Sequence, residues 1–515
     1  MFQQVSISKI KRFKNTIWGK PQFWILLLPL IYFAGMYLFY PYRNMVWMDF
    51  DEGINLVKAQ MLMHGYPLYS QIWNDQLPAF TYMLAGDFHF FGMNTNNGRF
   101  LVLLLACGLI WALTQFLGQV WGSWHALAGA VLLFLLPRFT DLSVSVMVGL
   151  PAIAFAMFSL WALLQWHRKH KYMWLMLSAS VMALSVLTKI FTGFLAPVFM
   201  IGILLDEYNR SRQIKKWRQY MLPVLIWGSV FTLLVIVPAL MIIKPENFFQ
   251  VFQDHLTASA LEKYRNDPGY HLGTQILDAR SILVLAFLGL FYSLIRKNWL
   301  SFYLASWMCI AFILLARHVP VWSHQQLLIT IPAAALAGVA VVEAILSLRR
   351  YFQHSHPKNA PVLIFLALAT LATLAYTAYA RIPTTLSAFD TDPTFGTPPP
   401  KPTASEVKFL AYIRQYAPQT HWFVTDLPIY AFDTNLPVPP DLVVLSSKRV
   451  ETGELSEEYI IATIQKYHPE LVMFGRNKFP LVRKFLQADY QLVDERGLSA
   501  LYVLKDLYVP ENLTE

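Results

Sequence analysis

Cysteine is nearly absent, with two residues in a chain of 515, and both Cys107 and Cys309 fall inside apolar runs. That excludes a disulfide framework and a thiolate metal centre. Charge is scarce too: Asp, Glu, Lys and Arg make up 14% of the chain against 56% hydrophobic residues, which excludes a soluble globular protein. The formal charge of +10 does not indicate nucleic acid, because Lys and Arg gather in short clusters between apolar blocks, where they set membrane topology. There is no glycine-rich phosphate loop, no internal repeat, and no small-residue cleavage site after the first apolar run. The basic start of the chain, with Lys9, Lys11, Arg12, Lys14 and Lys20, therefore leads into a retained first helix rather than a cleaved signal.

What is present is a series of apolar runs. A helix needs roughly 20 apolar residues to span the hydrocarbon, and on that rule the chain holds about eleven spans. Their approximate ranges are 23–41, 99–118, 121–137, 143–166, 172–188, 190–205, 219–243, 281–296, 298–316, 326–346 and 361–380. With the N-terminus cytoplasmic, the basic segments 167–171, 209–218, 296–297 and 349–358 all fall on the cytoplasmic side, as the positive-inside rule requires. The loops 42–98 and 244–280 and the tail after about residue 381 then lie outside.

The tail is different material. After a proline-rich linker, DPTFGTPPPKPT within 381–404, the pattern predicts a small α/β domain over 405–515. ASEVKFLAYIRQYA, SEEYIIATIQKYH and FPLVRKFLQ read as helices; HWFVTD, DLVVLS, ELVMFG, YQLV and ALYVL read as strands. Lacking a phosphate loop or a metal-ligand cluster, this domain is expected to brace the membrane part or grip an acceptor rather than catalyse.

The first outer loop carries MDFDEGIN, with Asp49, Asp51 and Glu52 at the mouth of the bilayer. Ile54, Val57, Met61 and Leu62 recur at helical spacing, predicting a helix along the interface that ends at Gly65 and Pro67; a second follows Pro78. Acids at such a start have an ordinary explanation, since Asp caps helices and acidic first turns suit the helix dipole by about 0.3 to 1 kcal/mol. A further acid at Asp75, just before Pro78, points instead to carboxylates from two segments converging over one cavity. Such a site suits general-base catalysis, with an ionised Asp taking the proton of an acceptor hydroxyl. A lipid-phosphate leaving group would need only positive charge, available on the same side from Lys189, Arg265, Arg280 and Arg317, with His318 and His324 at the rim. Lys189 interrupts an apolar stretch, a placement costing about 2.5 to 3.5 kcal/mol at mid-membrane, unless it snorkels to the headgroups.

These features resemble the GT-C glycosyltransferases, nearest the protein O-mannosyltransferase and aminoarabinose transferase group. The resemblance rests on DEGINLVKAQMLMHGYPLY, on the acid before Pro78 and on SVLTK ending at Lys189, and covers roughly residues 20–350. It implies a polytopic α-helical membrane protein with a catalytic domain over 1–380, taking a sugar from a polyprenyl-phosphate donor to an acceptor on the outer face; the expected mechanism is a direct displacement at the anomeric carbon, with inversion. It implies Asp51 as the base, Asp75 as the second acid and Lys189 as a phosphate contact. The family's E-K-P-P is here DQLPA, so Gln76 stands where a lysine is usual. Asp49 and Glu52 would orient Asp51, raise its pKa or stand by. No cofactor is expected; a divalent cation, if one is used, would sit on Asp49 and Asp51.

The acceptor would be a lipid, a glycan or a protein, and the expected location is a bacterial plasma membrane. The alternative is a secondary transporter or lipid flippase, disfavoured by the missing repeat and by acids placed in a loop rather than at the midplane; Glu343, the main acid of a late span, sits near the cytoplasmic end, where it is expected to pair with Arg349 or Arg350. A sensor binding ligand through its tail is a third reading.

Overall fold

The computed structural model describes residues 21–136, 138–211, 217–353, 360–389 and 403–509. The basic N-terminus, most of the proline-rich linker, the NLT tripeptide at 512–514 and parts of the basic segments 209–218 and 349–358 lie outside the described residues.

Among the described residues, nine helices are long and apolar enough to cross a membrane, and two shorter apolar helices, Ser123–Phe134 and Tyr172–Thr188, complete the eleven runs seen in the sequence. The last apolar helix runs on to Ser387. The protein is an integral membrane protein built around the helix Leu327–Phe352, whose residues Leu327 to Ala340 are all buried. Close crossings come from small residues. A Cβ on Gly338 would meet the backbone of Gly129, and one on Gly289 would meet the carbonyl of Leu336.

The bundle has two chemically distinct ends. The helix Gly149–Lys169 starts beside Met147 and Val148 on the wall of a cavity, and its far end puts His167 2.6 Å from the Tyr303 hydroxyl and 2.9 Å from Asp206. The return helix Tyr172–Thr188 delivers Lys189 back to the cavity. At the far end Glu343 pairs with Arg296 at 2.6 Å and faces His125 at 3.5 Å, not Arg349 or Arg350, because its side chain turns into the bundle. Residues 167–171 and 296–297 thus share the end opposite the cavity.

The tail forms a four-stranded sheet in the order β1-β2-β4-β3, with β1 Phe423–Thr425, β2 Leu471–Phe474, β3 Tyr490–Arg496 and β4 Ser499–Leu504. β1 and β2 run parallel and the other pairs antiparallel. The helices Ala404–Tyr416, Glu457–Tyr467 and Pro480–Leu486 fall where their patterns predict. DLVVLS is not a strand. Pro439 and Pro440 remove ladder donors at its start, and its apolar residues split between two cores: Val443 and Val444 join the core that continues from the bundle into the tail, Leu442 and Leu445 a second core within the tail.

The first outer helix, Phe50–Met63, ends as expected with His64 as cap and Gly65 at a φ of +92°. It does not lie free at the interface. The tail covers one side and the bundle another, and every residue from Glu52 to Met61 is buried. At Gly53 a Cβ would stand 2.6 Å from the Ile429 backbone nitrogen, which only glycine tolerates. Gln60 Nε2 donates to Leu436 O at 3.4 Å, and Thr95 Oγ1 donates to Asp433 Oδ1 at 2.5 Å along the same seam.

Candidate active site

A cavity of about 740 Å³ lies between the membrane helices, the first outer loop and the tail. The first outer helix presents Asp51, Ile54, Asn55 and Lys58 to it. Their i, i+3, i+4, i+7 spacing is one face of a helix.

Asp49 is the N-cap, its carboxylate accepting from the Asp51 amide at 3.1 Å, so the ordinary explanation holds for this residue while it also lines the cavity. Glu52, about 100° around the helix from Asp51, turns the other way. Fully buried, it takes Arg99 Nη2 at 2.7 Å and Nε at 2.9 Å and accepts from the amides of Met48 and Val146. Arg99 also donates to the carbonyls of Tyr42 and Met45, so the pair ties the loop to the helix Thr95–Val120. Glu52 is not on the cavity wall.

Asp51 is, and no described residue donates a hydrogen bond to its carboxylate. Burial, and then the neighbouring charges of Asp49 and Asp75, push it up to about 6, against the pull of Arg476 and Lys189. Asp49 is likewise raised, mainly by burial.

Asp75 comes to the same wall through the turn GYPLYSQIWN, which joins the two acid-bearing segments. The Tyr69 hydroxyl donates to Gln76 O at 2.6 Å, closing that turn. Lys58, 2% exposed, reaches Asp75 Oδ1 at 3.4 Å and Asn74 Oδ1 at 2.7 Å, while Gln76 Nε2 donates to Asp75 Oδ2 at 3.2 Å.

Lys189 sits in extended backbone between Thr188 and the turn Ile190–Phe194, 6% exposed and on the cavity wall. Among the described residues no hydrogen-bond acceptor engages its ammonium. Burial in that wall, rather than snorkelling to the surface, describes its position.

The other predicted cations are not brought here. Arg265 and Arg317 are exposed away from the cavity, and Arg280 is exposed and donates to the Tyr376 hydroxyl at 2.8 Å. Beside Arg265 the inward place is taken by Tyr264, which lines the cavity, and Arg280 and Arg317 stand at the ends of the helices Arg280–Ile295 and Phe302–Arg317. His324 lines the cavity; His318 does not, its ring lying 5.2 Å from that of Phe191, and burial depresses it to about 4.

In their place the structure supplies Lys58 from the first outer helix and Lys448 and Arg476 from the tail, with Trp47, Trp73, Tyr264 and Trp322 as aromatic lining. Lys58 was legible as the residue two helical turns after Asp51. Nothing in the sequence pointed to Lys448 or Arg476. Among the described residues no three His, Cys, Asp or Glu side chains gather as a metal-binding group; Asp49 and Asp51 both line the cavity.

Comparison with known proteins bears on this geometry. Residues 75–242 match the sequence model of the family described as dolichyl-phosphate-mannose-protein mannosyltransferase. Among curated proteins none matches the chain. Among solved structures, ArnT from Cupriavidus metallidurans bound to undecaprenyl phosphate is similar over 95% of this chain and 99% of its own, at 12% identity and a TM-score of 0.60. The Archaeoglobus fulgidus oligosaccharyltransferase AglB, in complex with an inhibitory peptide and a dolichol-phosphate, is similar over 95% of this chain and 75% of its own, at 12% identity and a TM-score of 0.54. The same organism's oligosaccharyltransferase tethered with an acceptor peptide containing the NVT sequon is similar over 97% and 76%, at 11% identity and a TM-score of 0.57. The chain has the GT-C fold of these membrane glycosyltransferases, as the first-loop motif led one to expect.

Proposed function

We propose that this protein is a membrane glycosyltransferase that takes a sugar from a polyprenyl-phosphate donor and passes it to an acceptor hydroxyl in the cavity. The observation that carries the reading is the presence of both Asp51 and Lys189 on the lining of one cavity, a carboxylate and an ammonium that no described residue satisfies by hydrogen bonding. The similar structures bound to undecaprenyl phosphate and to dolichol-phosphate support the choice of donor class.

The step is a single displacement. Asp51 accepts the acceptor's proton as that oxygen bonds to the anomeric carbon. The bond from this carbon to the phosphate oxygen breaks, and its electron pair leaves with the phosphate. A phosphate monoester departs as an anion and needs no proton, so Lys189 acts as a fixed charge that becomes more strongly engaged as the bond breaks. Attack from the face opposite the leaving group inverts the sugar. Asp75, held by Lys58, orients the acceptor or shares the proton with Asp51. No step is assigned to a metal ion.

On this reading the cavity opens on the extracytoplasmic side, because the basic segments at the other end follow the positive-inside rule, which puts the N-terminus in the cytoplasm. The test is incubation of the purified protein with labelled polyprenyl-phosphate sugars and lipid, glycan and peptide acceptors. A transferase releases free polyprenyl phosphate and glycosylated acceptor. A flippase moves the donor intact, and that result would remove the proposal.

A further inference from the structure

The tail's reach into the cavity has a built origin. Asp426 follows β1 and is fully buried. Its carboxylate accepts from the backbone amides of Gly475 at 2.7 Å, Arg476 at 3.0 Å and Asn477 at 2.7 Å, and from Asn477 Nδ2 at 3.1 Å. The loop after β2 is thereby pinned to the end of its parallel neighbour β1. There is no slack at its first residue, since a Cβ on Gly475 would meet Leu427 Cδ1 at 2.5 Å and Ser499 Oγ at 2.6 Å.

The residue this loop carries is Arg476. Its guanidinium carbon lies 3.6 Å from the ring centroid of Phe50, the residue between Asp49 and Asp51, and both Arg476 and Phe50 line the cavity. Stacking on an aromatic face fixes a guanidinium in place while leaving its charge free to act on its surroundings. Among the described residues no ion pair or side-chain hydrogen bond engages that charge.

We propose that Arg476 is a positioning residue that the tail domain delivers to the cavity mouth, where it sets the charge of the first-loop acids, so that the base works only while the domain is seated. The proposal rests on the reading of Asp51 as the base. Around Asp51, the acids Asp49 and Asp75 oppose its ionisation, while Arg476 and Lys189 favour it. Lys58 is committed to Asp75 and Glu52 to Arg99. Arg138 acts alongside Arg476 on Asp49. Lys448, His324, Tyr264, Tyr430 and Glu406 complete the charged and titratable lining, Glu406 accepting from Trp47 Nε1 at 2.6 Å. Lys189 belongs to the membrane bundle, whereas Arg476 arrives only with the tail.

The test needs no known substrate. In the full-length protein in detergent, a pH titration of the protonated-carboxyl infrared band, assigned to Asp51 by its loss in Asp51→Asn, reads that group's midpoint directly. Arg476→Gln, at an exposed position, should raise the midpoint by roughly half a unit to one unit. Arg476→Lys should restore most of the difference, and Asp426→Asn, which frees the loop, should shift the midpoint in the same direction as Arg476→Gln. An unmoved midpoint in Arg476→Gln overturns the inference. Undiminished sugar transfer by Asp51→Asn would instead overturn the assignment of the base, so the two failures are told apart.

Discussion

Lys58 and Asp75 form an ion pair on the cavity wall, 3.4 Å apart, with the lysine 2% exposed and also bound to Asn74. The lysine missing beside Asp75, where Gln76 stands, is thus answered by one from the preceding helix, two turns after Asp51.

Lys58→Met should leave Asp75 without its counter-charge, lowering stability by about 1 to 3 kcal/mol and reducing sugar transfer. Adding Asp75→Asn should restore much of the stability without restoring activity. Thermal unfolding and turnover of both variants read the two effects separately. A structural pair alone predicts that the double variant recovers both.

Asp51→Asn keeps the shape and removes the base, and should cost roughly 10²- to 10⁴-fold in turnover. Because burial opposes ionisation of Asp51 in the folded protein, the neutral amide should leave the melting temperature unchanged or raised. A large loss of stability would place the residue's role in folding instead.

Turnover should depend on pH in one direction over the acidic range. A base with its pKa near 6 is active when ionised, so kcat/KM should be level above about 7 and fall as pH drops through about 6. A profile limited near the ordinary aspartate value would argue that another group takes the proton.

Glu52→Gln should behave oppositely to Asp51→Asn. It removes one partner of a fully buried ion pair, and breaking such a pair costs about 3 to 5 kcal/mol. Poor folding and early unfolding should precede any specific kinetic defect, and Arg99→Met should do the same.

Gly53→Ala should disturb the seating of the tail, because the new Cβ meets the backbone of residue 429 rather than a side chain able to move away. Limited proteolysis between the last apolar helix and the tail should become faster, and turnover should fall. An unchanged digestion rate would mean that the contact has room to relax.

The membrane part was readable because span length and apolar content are local properties, and all eleven runs have a matching helix. The first-loop helix was readable from its period and from Gly65. Its surroundings were not: the apolar positions that suggested an interfacial helix are buried from above by a domain nearly 400 residues further along, which local periodicity cannot register. For the same reason Arg476 left no trace, being an exposed loop arginine until the fold sets it on Phe50. Arg265, Arg280 and Arg317 show the converse, since sharing a side of the membrane does not bring a side chain to the cavity. DLVVLS misled because an apolar run near prolines satisfies two cores as readily as it satisfies a sheet.

The helix Phe50–Met63 serves three neighbours at once: Asp51 and Lys58 face the cavity, Glu52 the bundle, and Gly53 and Gln60 the tail. Such a segment has almost no neutral ground on which mutations can accumulate, apart from its last turn around Met63 and His64, which is exposed. Variation that alters which sugar or acceptor is used must therefore be sought in the opposite walls, where aromatic and tail residues can change without disturbing three interfaces together.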